Sequence, residues 1–161
     1  MDEEKEVSAQ SEEEKQELLE ERMESELNEA LNHKDEAAVR RLVEDSHPID
    51  LAIAMEEASD SNIVYLTSLL DDAQNAEIIE QADEDLQVRI MKLFDLNKIL
   101  RIFQHMSKDD IVDILGDMPA NRRKELVKLM KTSDQTVIRD LLGYGESTAG
   151  GIMTTEYISM R

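Results

Sequence analysis

Apolar residues recur every three or four positions along most of this chain, and polar or acidic residues divide them into short groups. This spacing is typical of amphipathic helices that bury one face. Near the N-terminus, Leu19, Met23 and Leu27 follow it, and Ser11 with Glu14 fits a capping box. The pattern therefore predicts a first helix over residues 11–31.

Shorter helical segments follow, each separated from the next by a polar or acidic break. They span residues 35–44, 48–55, 63–70, 73–81, 83–94, 96–105, 107–118, 119–131 and 133–142. Short helices joined by tight turns become antiparallel neighbours. We predict an all-α fold, a right-handed superhelix of short stacked helical hairpins. An irregular helical bundle is the alternative.

Both ends of the chain differ from this pattern. Residues 1–10 are acidic and poor in apolar side chains, so we expect a disordered tail there. Residues 143–161 begin with a cluster of glycines that is typical of a linker or turn. The predicted helical domain therefore covers residues 11–142.

Composition and charge narrow the function. The net charge of −20 disfavours nucleic acid as a partner, because phosphate contacts need a basic surface. The chain has no cysteine, which excludes disulfides and thiolate chemistry. It has no apolar run of membrane-spanning length, so we do not expect this segment to be membrane-inserted, and its acidic start does not resemble a signal peptide.

The sequence gives little support for a catalytic or nucleotide-binding motif. His33, His47 and His105 lie far apart and fit structural roles near helix ends. The glycines of residues 145–150 imitate a phosphate loop, but the lysine that should follow is missing. Candidate EF-hand loops lack the glycine at their sixth position. We therefore expect that the chain is not an enzyme.

One acidic stripe is the best candidate for chemistry. On a helical wheel that starts at Asp109, Asp113 lies at about 40°, Asp117 at about 80° and Asp110 at about 100°. The apolar residues of the same helix occupy the opposite side. An earlier helix carries Glu77 and Glu80 three positions apart. Carboxylates of this kind suit Mg²⁺, which prefers oxygen ligands and keeps several waters.

The same stripe also fits an ordinary solvated helix face. Ser107 and Asp110 fit a capping box, and Asp109 in the first turn complements the helix dipole. Asp113 and Asp117 have no such local reason. The residues alone leave both interpretations open.

A resemblance to a known family favours the metal interpretation. The stretch YGESTAGGIMTTEY, residues 144–157, resembles the junction in MgtE-type magnesium channels between an N-terminal helical domain and a tandem CBS domain. The segments HPIDL (residues 47–51) and SKDDIVD (residues 107–113) also match in order and spacing. The resemblance covers roughly residues 25–161.

The resemblance implies a cytosolic, Mg²⁺-sensing regulatory domain on the cytoplasmic side of the cell membrane. In that family the N domain is a superhelix of helical hairpins, and the full-length proteins are homodimers. Weak, regulatory Mg²⁺ binding at the interface with the CBS domain favours the shut membrane pore. Here the family's acidic positions match Glu77, Asp109 and Asp113, with Asp110 beside them.

On this basis residues 143–161 are expected to be a linker and the first residues of a truncated CBS domain. The rival hypothesis is a helical protein–protein interaction scaffold without a metal role. Its best feature is a basic patch formed by Arg122, Arg123, Lys124, Lys128 and Lys131.

Overall fold

The structure is a computed structural model that describes the backbone of residues 2–145 and the side chains of residues 11–143. All regular structure in residues 2–145 is α-helical, so the all-α prediction is confirmed. The helices are α1 (Asp2–Asn32), α2 (Glu36–Glu44), α3 (Pro48–Glu56), α4 (Asp60–Ser68), α5 (Asp72–Gln81), α6 (Glu84–Leu93), α7 (Leu96–Phe103), α8 (Lys108–Asp117), α9 (Ala120–Leu129) and α10 (Thr132–Gly145).

The polar breaks between the predicted helices are mostly N-caps. In six helices the side chain before the first turn accepts a hydrogen bond from a backbone N–H three residues on, at 2.7–3.2 Å. For α2, α4, α5, α6, α7 and α8 these caps are Asp35, Ser59, Asp71, Asp83, Asp95 and Ser107. A cap of this type satisfies a donor that the helix cannot satisfy itself. Four of the aspartates, Asp35, Asp71, Asp83 and Asp95, therefore have a structural task.

The two end helices are longer than the sequence predicted. Helix α1 begins at Asp2 and not at Ser11, so it includes residues for which we predicted disorder. Glutamate, lysine, glutamine and alanine favour helix, and neither glycine nor proline interrupts them there. Helix α10 continues to Gly145, past the predicted end at residue 142. The functional limits of the three predicted segments stay predictions.

The chain divides into two compact units, Met1–Leu70 and Asp71–Arg161. In the first unit, α1 packs against α2, α3 and α4. Its contribution to the core comes from its C-terminal part, where Leu27, Ala30 and Leu31 are buried. At the end of α1, the Asn62 amide donates to Asn32 Oδ1 at 2.7 Å, which fixes α4 against that end.

In the second unit, helices pack on the next but one along the chain. Helix α5 contacts α7, α6 contacts α8, α7 contacts α9, and α8 contacts α10. This alternation is what a stack of helical hairpins produces. The buried faces of these helices are mainly apolar, with Asn75 of α5 as a buried polar residue, and α8 contributes Ile111, Ile114 and Leu115.

Arg122 adds a polar contact between distant parts of the second unit. Its guanidinium, on α9, donates a hydrogen bond to the backbone carbonyl of Phe94, which is the C-cap of α6. The Lys98 ammonium lies 4.2 Å from the centre of the Phe94 ring. The end of α6 is therefore held both at its carbonyl and at its last side chain.

The turn after α1 contains the one residue other than glycine with a positive φ among residues 2–145. Lys34 has a φ of 54°. Its N–H donates to Leu31 O at 3.2 Å, and the Asp35 N–H donates to Ala30 O at 2.9 Å. This is a Schellman motif, in which glycine usually occupies the left-handed position. The Lys34 ammonium also lies 4.3 Å from the centre of the Tyr65 ring.

We expect glycine to be better than alanine at position 34. Both Lys34→Gly and Lys34→Ala remove the ammonium, but only alanine keeps a Cβ in the left-handed conformation, which costs roughly 1–2 kcal/mol. Urea denaturation should therefore give Lys34→Gly a free energy of unfolding about 1 kcal/mol above that of Lys34→Ala. Equal stabilities would contradict the left-handed turn.

Candidate metal site

Helix α8 presents the predicted acidic stripe to solvent. Its apolar face is buried, whereas Asp109, Asp110, Asp113 and Asp117 are all exposed. The two faces follow from the helical period, because residues three and four apart lie on one side. The structure therefore confirms the geometry of the stripe. A role in metal binding stays a prediction.

Asp110 is partly engaged by the cap of α8. The Ser107 hydroxyl accepts from the Asp110 N–H at 3.2 Å and donates to Asp110 Oδ2 at 2.9 Å. In the predicted capping box, the Asp110 carboxylate would instead accept a hydrogen bond from the Ser107 backbone N–H. One oxygen of Asp110 is therefore oriented by the hydroxyl. Asp109 and Asp113 make no such bond among the described side chains.

Burial and like charges raise the pKa of Asp113. Partial burial is the largest cause, and the charges of Asp110, Asp109 and Asp117 raise the pKa further. The ionised form of Asp113 is therefore disfavoured relative to an isolated aspartate. A cation beside the stripe would reverse this effect, because an opposite charge favours the ionised carboxylate.

Glu80 on α5 belongs to the same electrostatic cluster. Its pKa is raised first by partial burial, then by the charge of Asp110 and then by that of Glu77. Glu77 and Glu80 are both exposed and lie one turn apart on α5. The second unit therefore brings Glu80 of α5 near Asp110 at the start of α8, although α6 and α7 separate them in sequence.

We call these residues the α5–α8 acidic cluster; its members are Glu77, Glu80, Asp109, Asp110, Asp113 and Asp117. Sequence reasoning selected neither Glu80 nor Asp117 as a ligand. The only signal for Glu80 was its spacing from Glu77, which does not show which other helix lies beside α5.

The cluster does not form a closed metal cage. Within the described side chains, no group of three or more histidine, aspartate or glutamate residues converges closely enough to hold an ion. Mg²⁺ demands near-octahedral oxygen ligands and is often held by one or two carboxylates, with waters or other groups completing the shell. The arrangement suits one side of a shared site, and the remaining ligands would come from elsewhere.

The three histidines lie at the ends of different helices. His47 is the N-cap of α3, directly before Pro48 at its first turn. His33 follows α1, and its Nδ1 lies 2.9 Å from the Glu29 carbonyl oxygen. His105 follows α7, and its backbone N–H donates a hydrogen bond to the Ile102 carbonyl oxygen. Each position fits the structural role that the sequence predicted.

None of the helices in residues 2–145 combines the length and the apolar character that a membrane span requires.

Comparison with known proteins identifies relatives of this chain. The crystal structure of the soluble part of a magnesium transporter has a TM-score of 0.71 and 22% identity, over 85% of this chain and 54% of that one. At this identity the likeness concerns the fold. The cytosolic domain of the Mg²⁺ channel MgtE in complex with ATP has a TM-score of 0.68 and 28% identity, over 83% of this chain and 55% of that one.

Sequence comparison agrees with the structural likeness. The magnesium transporter MgtE of Thermus thermophilus is 29% identical over 147 residues, which cover 89% of this chain and 32% of that protein. The chain thus spans about a third of this relative's length. The model of the MgtE intracellular N domain matches residues 46–147.

The predicted linker and start of a CBS domain cover residues 143–161, of which residues 146–161 lie outside the described part of the chain, and this segment stays a prediction. The resemblance seen in the sequence is confirmed by the family match, which covers more than half of the residues: this chain belongs to the family of MgtE intracellular N domains.

Proposed function

We propose that this chain is the Mg²⁺-sensing N domain of a magnesium channel and acts on the cytoplasmic side of the membrane. In this proposal Glu77, Asp109, Asp110 and Asp113 supply carboxylates to Mg²⁺ sites shared with the CBS domain of the same full-length protein. Glu80 joins them. The observation that carries the proposal is the α5–α8 acidic cluster, in which partial burial and then like charges raise the pKa of Glu80 and Asp113, in a member of this family.

The mechanism is a switch between repulsion and attraction. Two like unit charges about 6 Å apart repel by roughly 0.7 kcal/mol at the dielectric constant of water and by about 2.8 kcal/mol at an effective value near 20. When Mg²⁺ is scarce, a few such pairs hold two acidic surfaces apart. When Mg²⁺ is abundant, a shared ion joins them, because it binds the closed arrangement better than the open one.

The proposed role is regulatory and not catalytic. The domain would act within a homodimeric full-length protein, through its CBS domain and its membrane pore. Closure of the cytosolic assembly would favour the shut pore, so channel activity would fall as Mg²⁺ rises. The ion would bind weakly and reversibly, as a concentration sensor requires.

The alternative is a helical interaction scaffold that uses the basic patch of α9. The structure weakens this alternative, because Arg122 is half-buried and hydrogen-bonds to Phe94 O. Arg123 is also half-buried, and only Lys124, Lys128 and Lys131 of the patch are exposed. A Mg²⁺ titration separates the two functions, because a scaffold without a metal role would not respond.

We expect Asp109→Ala combined with Asp113→Ala to weaken inhibition of the full-length channel by Mg²⁺. Both side chains are exposed, so folding should be nearly unchanged, whereas the Mg²⁺ concentration for half-inhibition should rise several-fold. Channel flux measured against Mg²⁺ concentration tests this. The matched control is Glu84→Ala with Asp85→Ala, which removes two exposed acids from the first turn of α6. Unchanged inhibition in the Asp109/Asp113 variant would refute the assignment.

The isolated chain should bind Mg²⁺ only at millimolar concentrations or more weakly. It supplies carboxylates on one side of the site, and physiological salt screens exposed charges over about 8 Å. Calorimetry on this chain and on a longer protein that includes the CBS domain compares the half-site with the complete one. Stoichiometric binding at micromolar concentrations by the chain alone would show that it contains a whole site.

Removing one charge from the cluster should stabilise the second unit at neutral pH. The pKa of Glu80 is raised in the folded state. Its carboxylate therefore lowers the free energy of unfolding at pH values above the folded-state pKa, and this loss is absent at pH values below the pKa of the unfolded state. Glu80→Gln should therefore raise the free energy of unfolding at pH 7 by about a few tenths of a kcal/mol, the size of a like-charge pair on a helix surface. The gain should disappear near pH 3.

Thermal unfolding at both pH values measures this effect. Glu125→Gln is the control, because its helical neighbours Arg122 and Lys128 are basic and its removal should give no gain. A gain for Glu125→Gln equal to that for Glu80→Gln would point to the net charge of −20 and not to the cluster.

A further inference from the structure

An apolar strip with an acidic rim lies on the surface of the first unit. Leu19 and Met23 are one turn apart on α1, and Ile49 and Ile53 are one turn apart on α3. Leu19 is 61% exposed, Ile49 48% and Ile53 46%. We call these four residues the α1–α3 strip. Large apolar side chains grouped in this way mark interaction surfaces more often than isolated ones do.

The strip continues the buried face of α1 beyond the part that packs. Leu19, Met23 and Leu27 follow one another at four-residue spacing, and their exposure falls from 61% at Leu19, through half-buried Met23, to 1% at Leu27. All side chains from Ser11 to Arg22 are exposed. An isolated acidic helix gains little stability from its own hydrogen bonds. This stretch therefore carries an apolar face that the described first unit does not cover.

Between α1 and α3 the strip contains a notch with acidic walls. Glu20, Met23, Glu24, Asp50 and Ile53 line a cavity of about 20 Å³. Small-molecule sites are typically of about 300–1,000 Å³, so this notch fits part of one side chain and not a metabolite. Within residues 11–143, no lysine or arginine forms an ion pair with its three carboxylates.

The acidic rim consists of Glu20, Glu24 and Asp50, the three carboxylates that line the notch. Its negative charge determines which kind of partner can bind. Nucleic acid and anionic membrane surfaces carry the same sign as the rim and would be repelled. A second copy that paired through the same surface would place two acidic rims opposite each other, and each pair of like charges would weaken the binding free energy. A basic helix with one apolar stripe would satisfy both the strip and its rim, in the way amphipathic helices dock in grooves.

We propose that the α1–α3 strip is a docking site for a basic amphipathic helix of another protein. One large apolar side chain of the partner enters the notch beside Met23 and Ile53. Lysine or arginine side chains at the edges of the partner helix meet Glu20, Glu24 and Asp50. Binding weakens as salt is added, because salt screens the attraction between the rim carboxylates and the basic side chains of the partner.

Fluorescence anisotropy with the full chain tests the apolar part of this proposal. The probe is a labelled leucine–lysine peptide, about 18 residues long, designed as an amphipathic helix. Ile53→Ser should weaken binding about tenfold, since it removes an aliphatic side chain from the contact. Val64→Ser is the matched control, because Val64 is 43% exposed on α4 of the same unit and lies outside the strip. Leu19→Ser repeats the test on α1.

A second pair of variants separates the rim from general charge attraction. Glu20→Gln with Asp50→Asn removes two rim charges, and Glu44→Gln with Asp45→Asn removes two exposed charges at the end of α2. Only the first pair should weaken binding and reduce its salt dependence. Equal losses would mean that the peptide responds to the net charge, and the docking site would be rejected.

Two further outcomes would also overturn the proposal. One is that the unaltered chain fails to bind the peptide. The other is self-association that Ile53→Ser abolishes in analytical ultracentrifugation, which would make a second copy the occupant. Circular dichroism of each variant confirms that the helices are retained, as expected because every substituted side chain is exposed except Asp50, which is half-buried.

Discussion

A helix of nine or ten residues does not stand alone in water, because starting a helix costs more than a few hydrogen bonds return. Most helices of this chain have about that length, so each depends on burying one apolar face against a neighbour. Residues such as Ile90, Ile102 and Leu115 are almost completely buried for this reason. In the second unit, α5 packs on α7 and α6 packs on α8, and these contacts bury the apolar face of each helix.

The same constraint explains where the carboxylates lie. With one face of every short helix committed to the core, the acidic residues can occupy only the caps, the first turns and the outer faces. Asp83 and Asp95 are used as caps. Asp113 and Glu80 have no such task, and partial burial together with like-charged neighbours raises their pKa values. The surplus charge that the proposed sensor uses therefore remains on the outer face.

Much of this arrangement could be predicted from local patterns. Helical periodicity sufficed for the all-α fold and for the split of α8 into a buried face and an acidic stripe, because both depend on residues within one helix. Side chains that compete to cap a helix were harder to rank. Ser59 caps α4, which therefore begins before the predicted segment of residues 63–70, and Ser11 lies inside α1 and not at its start. Neighbouring polar residues offer similar hydrogen bonds, and packing selects among them.

Contacts between helices could not be predicted from the sequence. The effect of Asp110 on Glu80 depends on how α5 and α8 pack, with two helices between them in the chain. The left-handed Lys34 was equally hidden, because glycine or asparagine is the usual signal for such a turn. The metal role of Glu77, Asp109, Asp110 and Asp113 rests on family resemblance and on charge, and the single-chain structure leaves it as a proposal.

The hydrogen bond from Arg122 to Phe94 O has a consequence for how the second unit opens. Packing on the next helix but one keeps most contacts local in sequence, a topology that folds quickly and can fray one hairpin at a time. The Arg122 bond joins residues 28 positions apart and encloses α7 and α8 between its ends. If α9 detaches, the Phe94 carbonyl at the end of α6 loses its donor while α7 loses its packing partner. The Arg122 bond therefore couples the opening of α9 to the end of a helix that lies before α8 in the chain, and not only to the helix that α9 packs against.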